Sequence, residues 1–226
     1  KSFLVNDSDE DTYIVNCALN CASNKLAVNT SNISNPIKII DVQTSKEISS
    51  IKLSSQNINP KLKFSMENSY NLMLSTNHSV ELYDVRHTNA KVSSQFFINP
   101  KSEFSKADQQ CITCFDFNLD FTYIAAATEL CSDQNVYIHF WDYRKPNQLI
   151  TSYNEAHKND VNDIEFHPTQ RSILASGGCD ELVNIFDVIQ SDEEEALLAT
   201  LNIESSIARI RWSKCKNENN LFCMTQ

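Results

Sequence analysis

The sequence contains very little glycine and no long apolar run. Its two glycines are Gly177 and Gly178, so a glycine-rich loop that would cradle a phosphate group is excluded. No run of apolar residues approaches the roughly twenty that a membrane-spanning helix needs. The acidic first residues also lack the apolar core of a signal peptide. We therefore expect an intracellular protein, cytoplasmic or nuclear, with no membrane segment.

Basic residues are also scarce. The 226 residues include 19 lysines and arginines against 29 aspartates and glutamates, which gives a formal net charge of −10. Proteins that bind nucleic acid gain much of their affinity from cationic side chains that neutralise phosphates. The charge balance therefore argues against nucleic acid as the main ligand and leaves other proteins as the expected partners.

Eight cysteines are present, but their spacing does not predict a metal or redox site. Cys111 and Cys114 have the two-residue gap of a zinc motif, yet the apolar residues around them predict a strand, in which residues three apart point to opposite faces. Cys17 and Cys21 are predicted to stand ~13 Å apart on one strand, too far to share a metal ion. We expect buried free thiols, with no metal and no cofactor.

A short apolar run that ends in aspartate recurs along the chain. The four copies end at Asp41, Asp84, Asp142 and Asp187. They are about forty-five residues apart, with a longer middle interval that an insertion around 99–110 explains, and such periods are typical of propellers and solenoids. Each copy is preceded by two short runs and followed by a fourth. All of these runs are rich in β-branched and aromatic residues, which predicts strands.

Four strands per repeat predict one antiparallel sheet, or blade, in each copy. No long stretch has apolar residues at helical spacing, so the predicted fold class is all-β. One sheet cannot bury both of its faces, and the blades must therefore stack on one another, as in a β-propeller. The predicted partial propeller of residues 1–226 has about four and a half four-stranded blades, at 12–54, 58–98, 110–155, 157–204 and, for the start of a fifth, 206–226.

These repeats resemble those of the WD-repeat family. The likeness rests on His157, on Ser176-Gly177-Gly178-Cys179-Asp180, on Ile185-Phe186-Asp187 and on the dipeptide Trp141-Asp142. Most members of that family are seven-bladed rings, which implies that this chain is a fragment of such a ring. A partly built blade leaves a strand edge open, so we expect the fragment to associate with itself through its open blade edges.

Family repeats usually carry more glycine than this chain does. Asparagine is abundant at its expected turns, as in residues 31–36 and 75–79. Asparagine tolerates left-handed backbone dihedrals better than other residues with a side chain. We therefore expect asparagine to occupy the turn positions that glycine takes in other family members.

The resemblance also implies a structural role for the polar residues of the fourth blade. In the family, a His, a Ser and an Asp join a Trp on the third strand in a hydrogen-bonded network. His157, Ser176 and Asp180 match the first three, and Asp187 ends the third strand. Phe186 occupies the Trp position and has no N–H donor, so the network is predicted to stop one link short.

Two other repeats match this network less completely. The second repeat has Asn77 and Tyr83 at the corresponding positions, and the third has Trp141 with Thr128 on its second strand. No repeat contains the complete set. These residues are therefore predicted to stabilise their own blades and not to form a catalytic site.

Asp163, Glu165 and His167 alternate along one predicted strand and so share a face. Two carboxylates and an imidazole on one face could bind a cation. Apolar residues alternate with them, however, which is the ordinary pattern of a half-buried strand. We favour the structural interpretation over a metal site.

The sequence Trp141-Asp142-Tyr143-Arg144 looks like the motif by which some WD-repeat propellers dock onto the adaptor of a cullin-type ubiquitin ligase. Asp84 and Arg86 belong to a degenerate copy one repeat earlier. An arginine just beyond the third strand is expected to present a free guanidinium to a carboxylate or carbonyl of a partner. Trp141, Asp142, Arg144, Asp84 and Arg86 are therefore candidate partner-binding residues. The alternative is that each arginine only solvates its turn.

Two serines are followed by acidic runs. Ser8 and Ser191 each have an acidic residue at the third following position, a pattern that acidophilic kinases favour, and both are candidate phosphorylation sites. The second acidic run, at 192–195, is predicted to lie on an exposed hairpin between the third and fourth strands of its blade.

The expected function is a non-catalytic scaffold for protein–protein interaction. The alternative is a substrate receptor of a cullin-type ubiquitin ligase that docks through residues 141–144. Nothing in the sequence supports an enzyme, because no nucleophile has a base nearby and neither a phosphate loop nor zinc spacing is present. A fold used this widely does not specify a function, so the scaffold expectation rests partly on the family resemblance.

Overall fold

The chain folds into a series of small β-sheets. The computed structural model describes residues 13–31, 37–52, 60–65, 70–86, 92–97, 111–146, 148–215 and 218–226. Within these residues the strands form four four-stranded sheets and one two-stranded sheet, and in every sheet neighbouring strands follow one another in the chain. None of these residues lies in a helix that is long and apolar enough to cross a membrane. The predicted all-β fold class is confirmed.

The strands have the following bounds. The first sheet contains β1 (Ile14–Asn20), β2 (Lys25–Thr30), β3 (Ile37–Asp41) and β4 (Lys46–Ile51). The second contains β5 (Leu62–Phe64), β6 (Asn71–Ser75), β7 (Ser79–Asp84) and β8 (Val92–Phe97). The third contains β9 (Ile112–Phe117), β10 (Tyr123–Thr128), β11 (Ile138–Asp142) and β12 (Leu149–Tyr153). The fourth contains β13 (Val161–Phe166), β14 (Ile173–Gly178), β15 (Leu182–Asp187) and β16 (Leu197–Asn202), with a one-turn helix, α1 (Glu193–Ala196), before β16. The two-stranded sheet contains β17 (Ile207–Cys215) and β18 (Glu218–Thr225).

The recurring aspartates end the third strand of each four-stranded sheet and fix the turn that follows it. In each case the carboxylate accepts a hydrogen bond from a backbone N–H two or three residues further along. The donors are Thr44 to Asp41 at 2.7 Å, Arg86 to Asp84 at 3.0 Å, Arg144 to Asp142 at 2.9 Å and Ile189 to Asp187 at 3.2 Å. This Asx-type bond stabilises the hairpin to the fourth strand and explains why the sequence repeats an aspartate at that point.

The chain divides into two compact units, one formed by residues up to 76 with 81–95 and the other by 77–80 with 96–226. In the first unit, Ile37 and Ile39 of β3 are fully buried together with Leu72 and Leu74 of β6. Alternate residues of these strands face a shared apolar core, as the period of a strand requires. The unit is therefore held together by burial of the two sheets' apolar faces.

In the second unit, aromatic side chains fill the space between the third and fourth sheets. The ring of Tyr153 lies 4.8 Å from that of Phe140 and 5.3 Å from that of Phe186, measured between centroids. All three side chains are almost completely buried. Aromatic pairs at such distances add to the free energy gained from burial alone. Phe186 is therefore a core residue that joins two adjacent sheets.

Both glycines lie inside β14 and neither has a positive φ. A Cβ atom built on Gly177 would lie 2.7 Å from Cγ2 of Ile207 and 3.1 Å from Cγ2 of Ile210, both on β17. Atoms cannot approach so closely without a shift of one of the strands. Gly177 is therefore required for the close packing of β17 on the fourth sheet and not for a turn.

In the part of the chain that the structure describes, the left-handed turn positions are mostly not asparagine, so the expectation was wrong there. Among the described residues other than glycine, φ is positive at Asn24 and also at Ser45, Phe121, Gln134, Glu181 and Glu204. Residues 75–79 contribute no such position, and most of 31–36 lies outside the described residues. The tight turns are therefore stabilised mainly by hydrogen bonds to aspartate and between backbone groups. Several residues other than glycine adopt a left-handed backbone conformation there, at a cost in conformational energy.

We expect Glu181→Gly to raise the free energy of unfolding by about 0.5–1 kcal/mol, because glycine removes the left-handed strain but adds entropy to the unfolded chain. Glu181 has a φ of 69° in the turn between β14 and β15, and its side chain is exposed. Chemical denaturation of both proteins measures the difference. Asn24→Gly is the matched control and should change stability less, since asparagine already tolerates a φ of 53°. A destabilised Glu181→Gly protein would contradict this account.

The acidic run at 192–195 lies between the third and fourth strands of its sheet and is mostly exposed, as predicted, but part of it forms the short helix α1. Asp192 caps the N-terminus of α1 by accepting from the backbone N–H groups of Glu194 and Glu195. The carboxylate of Glu193 accepts three successive backbone N–H groups that follow β12, from Asn154 at 2.6 Å, Glu155 at 3.0 Å and Ala156 at 2.7 Å. Successive N–H groups of this kind form an anion-binding nest. Glu193 therefore ties the fourth sheet to the third.

Candidate protein-binding site

The predicted His–Ser–Asp network is present in the fourth sheet. Nδ1 of His157 lies 3.0 Å from both carboxylate oxygens of Asp180, and because the carboxylate can only accept, Nδ1 carries a proton and donates. Nε2 of His157 lies 2.7 Å from Oγ of Ser176. Burial raises the pKa of Asp180, but the hydrogen bond and charge of His157 and the backbone N–H groups of Lys158 and Leu182 lower it more, so the net pKa falls below its usual value.

The prediction that this network stops one link short was wrong. It continues through Asn184, whose Nδ2 lies 3.3 Å from Nε2 of His157 and donates to the carbonyl of Ala156 at 2.8 Å. Thr200 on β16 then donates to Oδ1 of Asn184 at 2.7 Å. Asn184 lies directly opposite Ser176 in the strand register, whereas Phe186 lies opposite Leu174 and packs in the core. Asn184 was not predicted to belong to the network. A polar residue within an otherwise apolar strand could have indicated a buried hydrogen bond there.

The position of Asn184, three residues before the aspartate, is polar and buried in the two preceding sheets as well. Glu81 accepts from the amide of Gln95 at 2.6 Å and from the hydroxyl of Tyr83 at 2.6 Å. Nδ1 of His139 lies 2.7 Å from Oγ of Ser152. In these sheets the polar residue on the third strand bonds to the fourth strand. The polar residue at this repeated position therefore forms a hydrogen bond between the third and fourth strands of its sheet.

His139 is a neutral histidine within the third sheet. Burial lowers its pKa from 6.5 to about 4. Its ring stacks on that of Tyr137 at 5.4 Å between centroids. The charged imidazolium is disfavoured there because burial removes its hydration.

The structure places Thr128 at a strand end and Asn77 in a turn. Trp141 lies opposite Ile124 in the register of the third sheet, whereas Thr128 is four residues further along β10 and accepts from the backbone N–H of Tyr137 at 3.0 Å. Asn77 is exposed in the turn between β6 and β7. Each residue therefore belongs to a turn or strand end.

Asp163, Glu165 and His167 hold neighbouring backbone in place. Asp163 accepts from the backbone N–H of Ile210 at 3.1 Å and from Nη1 of Arg211 at 2.9 Å. Glu165 accepts from the backbone N–H of Trp212 at 2.8 Å, so both carboxylates bind β17. Nδ1 of His167 accepts from the backbone N–H of Gln170 at 2.9 Å. The part of the chain that the structure describes contains no cluster of three metal-ligating side chains.

The cysteines differ from expectation in their burial. Cys114 is buried in β9 and Cys111 is half-buried just before it, which agrees with the predicted strand. Cys17, Cys21 and Cys223 are exposed, so the expectation of buried thiols was wrong for them. These three cysteines lie on or beside edge strands of their sheets. The spacing of residues along such a strand does not show whether a neighbouring sheet buries them.

The two Asp-x-Arg sequences form the same local structure in different units. Nε and Nη2 of Arg144 donate to the two carboxylate oxygens of Asp142 at 3.0 and 2.9 Å. Arg86 binds Asp84 through the same two nitrogens. The expectation of a free guanidinium was therefore wrong, because one edge of each arginine closes its own turn. The hydrogen bonds from Arg144 also lower the pKa of Asp142.

Trp141 is fully buried and cannot contact a partner directly, although the sequence placed it among the candidate partner-binding residues. The side chain of Arg144, in contrast, is 74% exposed despite its bond to Asp142. Only the charged end of the four-residue motif therefore reaches solvent.

Arg144 lies on the wall of a cleft of about 460 Å³ at one end of the third and fourth sheets. This volume is in the range of roughly 300–1,000 Å³ that is typical of ligand sites. Lys145 and Arg171 also line the cleft, and so do the aliphatic side chains of Ile150 and Ile189. Arg171, Ile150 and Ile189 were not recognised from the sequence, because they come from three different turns and strands. We name this feature the β12 cleft, since Ile150 belongs to that strand.

The two serine sites have different outcomes. Ser8 lies outside the described residues. Ser191 is exposed just before α1, and its carbonyl accepts from the hydroxyl of Thr151 at 3.1 Å. Glu194, the acidic residue at the third following position, is also exposed. Phosphorylation of Ser191 stays a prediction.

The four-stranded sheets follow one another along the chain, and polar hydrogen bonds stabilise their strands and turns. This architecture is that of a repeat protein of the β-propeller class. The family model "WD domain, G-beta repeat" matches residues 147–187. A chain in a crystal structure titled "Mitotic Checkpoint Complex" superposes with a TM-score of 0.72 and 16% identity, over 97% of this chain and 59% of that chain. The chain belongs to the WD-repeat family.

Several curated relatives carry the same repeat. An uncharacterized WD repeat-containing protein of Saccharomyces cerevisiae is 31% identical over 75% of this chain and 41% of the relative. The WD repeat-containing protein 89 homolog of Dictyostelium discoideum is 32% identical over 28% of this chain and 18% of the relative. The GATOR2 complex protein WDR24 of Gallus gallus is 29% identical over 37% of this chain and 12% of the relative. The chain thus spans less than half the length of each of these relatives.

Proposed function

We propose that this chain is part of a non-catalytic scaffold that binds other proteins. The observation that carries the proposal is the use made of its chemically active side chains. His157, Asp180, Asp163 and Glu165 all bind neighbouring strands or turns, so they hold sheets together and do not converge on a substrate. An active site would instead need a nucleophile, a base and a stabilising donor around one open point.

The family supports this proposal. WD-repeat proteins present rigid sheets and variable turns, and one relative is named as a component of a complex. The turns at one end of the third and fourth sheets form the β12 cleft, which offers a partner both charge and apolar surface. Binding sites are commonly built from loops that a rigid scaffold positions.

Affinity purification of the intact protein from its native cells, after mild chemical cross-linking, tests this function. A scaffold should be recovered with one or more stoichiometric partner proteins, identified by mass spectrometry. The size of the native complex, measured by gel filtration before cross-linking, should exceed that of the protein alone. Recovery of the protein only as an unaccompanied species would contradict the proposal, and so would a purified protein that turns over a substrate.

The ubiquitin-ligase alternative stays a prediction that no observation favours. Trp141 is buried and cannot contact an adaptor. Arg144 forms an ion pair with the aspartate of its own turn, and Arg86 does the same in the second sheet, which lacks the tryptophan of the motif. The ligase interpretation requires that Asp142→Ala and Arg144→Ala both abolish recovery of the ligase adaptor. Arg86→Ala is the matched control, because it removes the same kind of arginine–aspartate bond from a turn of the second sheet. If the adaptor is never recovered with the native protein, the alternative is excluded.

The predicted self-association through open edges also stays a prediction. Within the described residues, β18 pairs with β17 on one side, and its Phe222 and Met224 are 60% and 56% exposed. Exposed apolar side chains on an edge strand favour pairing with another chain. Sedimentation of the wild type and of a Phe222→Lys variant over a range of concentrations would detect such pairing.

A further inference from the structure

The β12 cleft combines cationic and aliphatic groups in a chain that is acidic overall. Arg144, Lys145 and Arg171 line it, against two carboxylates, Asp120 and Asp142. The chain as a whole has a net charge of −10, so the small excess of positive charge in the cleft is opposite in sign to the net charge of the chain. Three cations against two carboxylates leave a small net positive charge in the cleft, which favours an acidic ligand over a basic one.

The two arginines keep most of their donor capacity for a ligand. Arg171 contacts Asp120 through Nη1 alone, at 3.2 Å, and its side chain is 74% exposed. Arg144 uses Nε and Nη2 for Asp142, and within the described residues its Nη1 has no hydrogen-bond partner. A guanidinium has five N–H donors in a planar fork that suits a carboxylate. Both arginines can therefore bind an acidic group without breaking their existing ion pairs.

The apolar part of the cleft is exposed. Ile150 is 47% and Ile189 is 64% exposed, and Leu149 beside them is half-buried. Aliphatic side chains that share one concave surface gain free energy when a ligand covers them, by about 25 cal/mol for each Å² of apolar surface removed from water. A ligand with aliphatic side chains is therefore favoured over a purely polar one.

The walls of the cleft are fixed by bonds between the two sheets that form it. Nδ2 of Asn118 donates to the carbonyl of Arg171 at 3.1 Å, and Thr151 donates to the carbonyl of Ser191 at 3.1 Å. The hydroxyl of Tyr153 donates to the carbonyl of Gln190, the residue after Ile189. These bonds hold the turns in place before any ligand arrives. A preformed site loses less conformational entropy on binding.

We propose that the β12 cleft binds a short linear segment of a partner protein in which acidic residues flank an aliphatic one. The acidic side chains would pair with Arg171, Arg144 and Lys145, and the aliphatic side chain would cover Ile150 and Ile189. This inference rests on the proposed scaffold function and names the chemistry of the partner. A polyphosphate backbone fits less well, because it has no apolar group to cover the exposed side chains of Ile150 and Ile189.

A random twelve-residue peptide library displayed on phage tests the inference. The library is selected on the intact wild-type protein and, in parallel, on the Ile150→Ser and Arg171→Ala variants. Both changes are at exposed side chains, so circular dichroism and thermal midpoints should match the wild type. Peptides enriched only by the wild type should contain acidic residues next to leucine, isoleucine or valine. The absence of such enrichment, or the enrichment of basic motifs, would overturn the proposal.

The enriched peptides are then synthesised and their dissociation constants measured by fluorescence anisotropy. Arg171→Ala and Ile150→Ser should each weaken binding at least fivefold, and replacing the acidic residues of the peptide by their amides should do the same. Arg86→Ala is the control, because it removes an arginine that is also exposed and also paired with an aspartate but lies outside the cleft, and binding should stay unchanged. Equal affinity for all the protein variants would show that the peptides bind outside the cleft and would contradict the proposal.

The same variants separate this inference from the scaffold function. If stoichiometric partners are recovered with the wild type and equally with the Arg171→Ala and Ile150→Ser proteins, the scaffold stands and the cleft proposal fails. If no partner is recovered with any protein, the scaffold function itself fails. Loss of one particular partner from the two cleft variants, with others retained, supports both.

Discussion

Lowering the pH from 7.5 to 4 should reduce the free energy of unfolding by about 3 kcal/mol through His139 alone. Burial lowers the folded-state pKa of His139 to about 4, against 6.5 for an ordinary histidine. One unit of pKa difference corresponds to roughly 1.4 kcal/mol. Between pH 6.5 and 4 the unfolded chain binds a proton at this position and the folded chain does not. Stability that is fully present above pH 6.5 is therefore lost as the pH falls toward 4.

His139→Asn tests this effect with a side chain that the protein already uses at the matching position. Asn184 occupies that position in the fourth sheet, where it bonds to the fourth strand as His139 does. The variant should be less sensitive to pH over this range, by about 3 kcal/mol. Denaturation at several pH values, followed by the fluorescence of the two tryptophans, gives the two curves. Parallel loss of stability in both proteins would show that His139 is not the titrating group.

Asp180 acts in a separate pH range. Because its folded-state pKa is lowered, mainly through His157, its contribution is present above the ordinary pKa of 3.8 and is lost as the pH falls below that value. The loss due to His139 is nearly complete by then. The two groups can therefore be distinguished by the pH at which stability falls, and Asp180→Asn should leave the slope between pH 6.5 and 4 unchanged.

Gly177→Ala should destabilise the protein by about 2 kcal/mol, although alanine normally stabilises a strand relative to glycine by roughly 0.5–1 kcal/mol. The sign reverses because the new Cβ would lie 2.7 Å from Cγ2 of Ile207. Ile207 is fully buried and β-branched, so it cannot rotate away without losing its own packing. The strand β17 must therefore move away from the fourth sheet.

A double-mutant cycle with Ile207→Ala identifies the contact. Ile207→Ala alone should cost roughly 2–5 kcal/mol, because it leaves a cavity between β14 and β17. In the presence of Gly177→Ala the added methyl group occupies part of that cavity, so the double variant should be more stable than the sum of the single effects predicts. Chemical denaturation measures all four proteins. A neutral or stabilising Gly177→Ala change would show that β17 does not pack against the fourth sheet as described.

Local sequence pattern was sufficient for the strands and for the aspartates that end the third strand of each four-stranded sheet. The aspartates at 41, 84, 142 and 187 mark the end of a third strand because each one binds the backbone of the next turn, an interaction that spans only two or three residues. The alternation of apolar residues follows from the two-residue period of a strand. For the same reason Asp163 and Glu165 were correctly placed on one face.

Other features depended on distances between strands that are far apart in sequence. Asn184 and not Phe186 extends the network, because the register sets Asn184 opposite Ser176. Glu193 was expected on an exposed hairpin, yet its carboxylate binds backbone groups nearly forty residues earlier in the chain. Spacing along one strand predicts which face a side chain takes, but it does not predict which atoms of another sheet that side chain will meet.

The β12 cleft shows this limit most clearly. Its cations and aliphatic side chains come from turns and strands as distant as Arg144 and Ile189, and only Arg144 stood out in the sequence of its own segment. Their proximity arises when the third and fourth sheets stack and bury Phe140, Tyr153 and Phe186 between them. The period and polarity of the sequence therefore specify sheets that must stack, because each has an apolar face to bury. The surface that results is decided by how the stacked sheets bring their turns together.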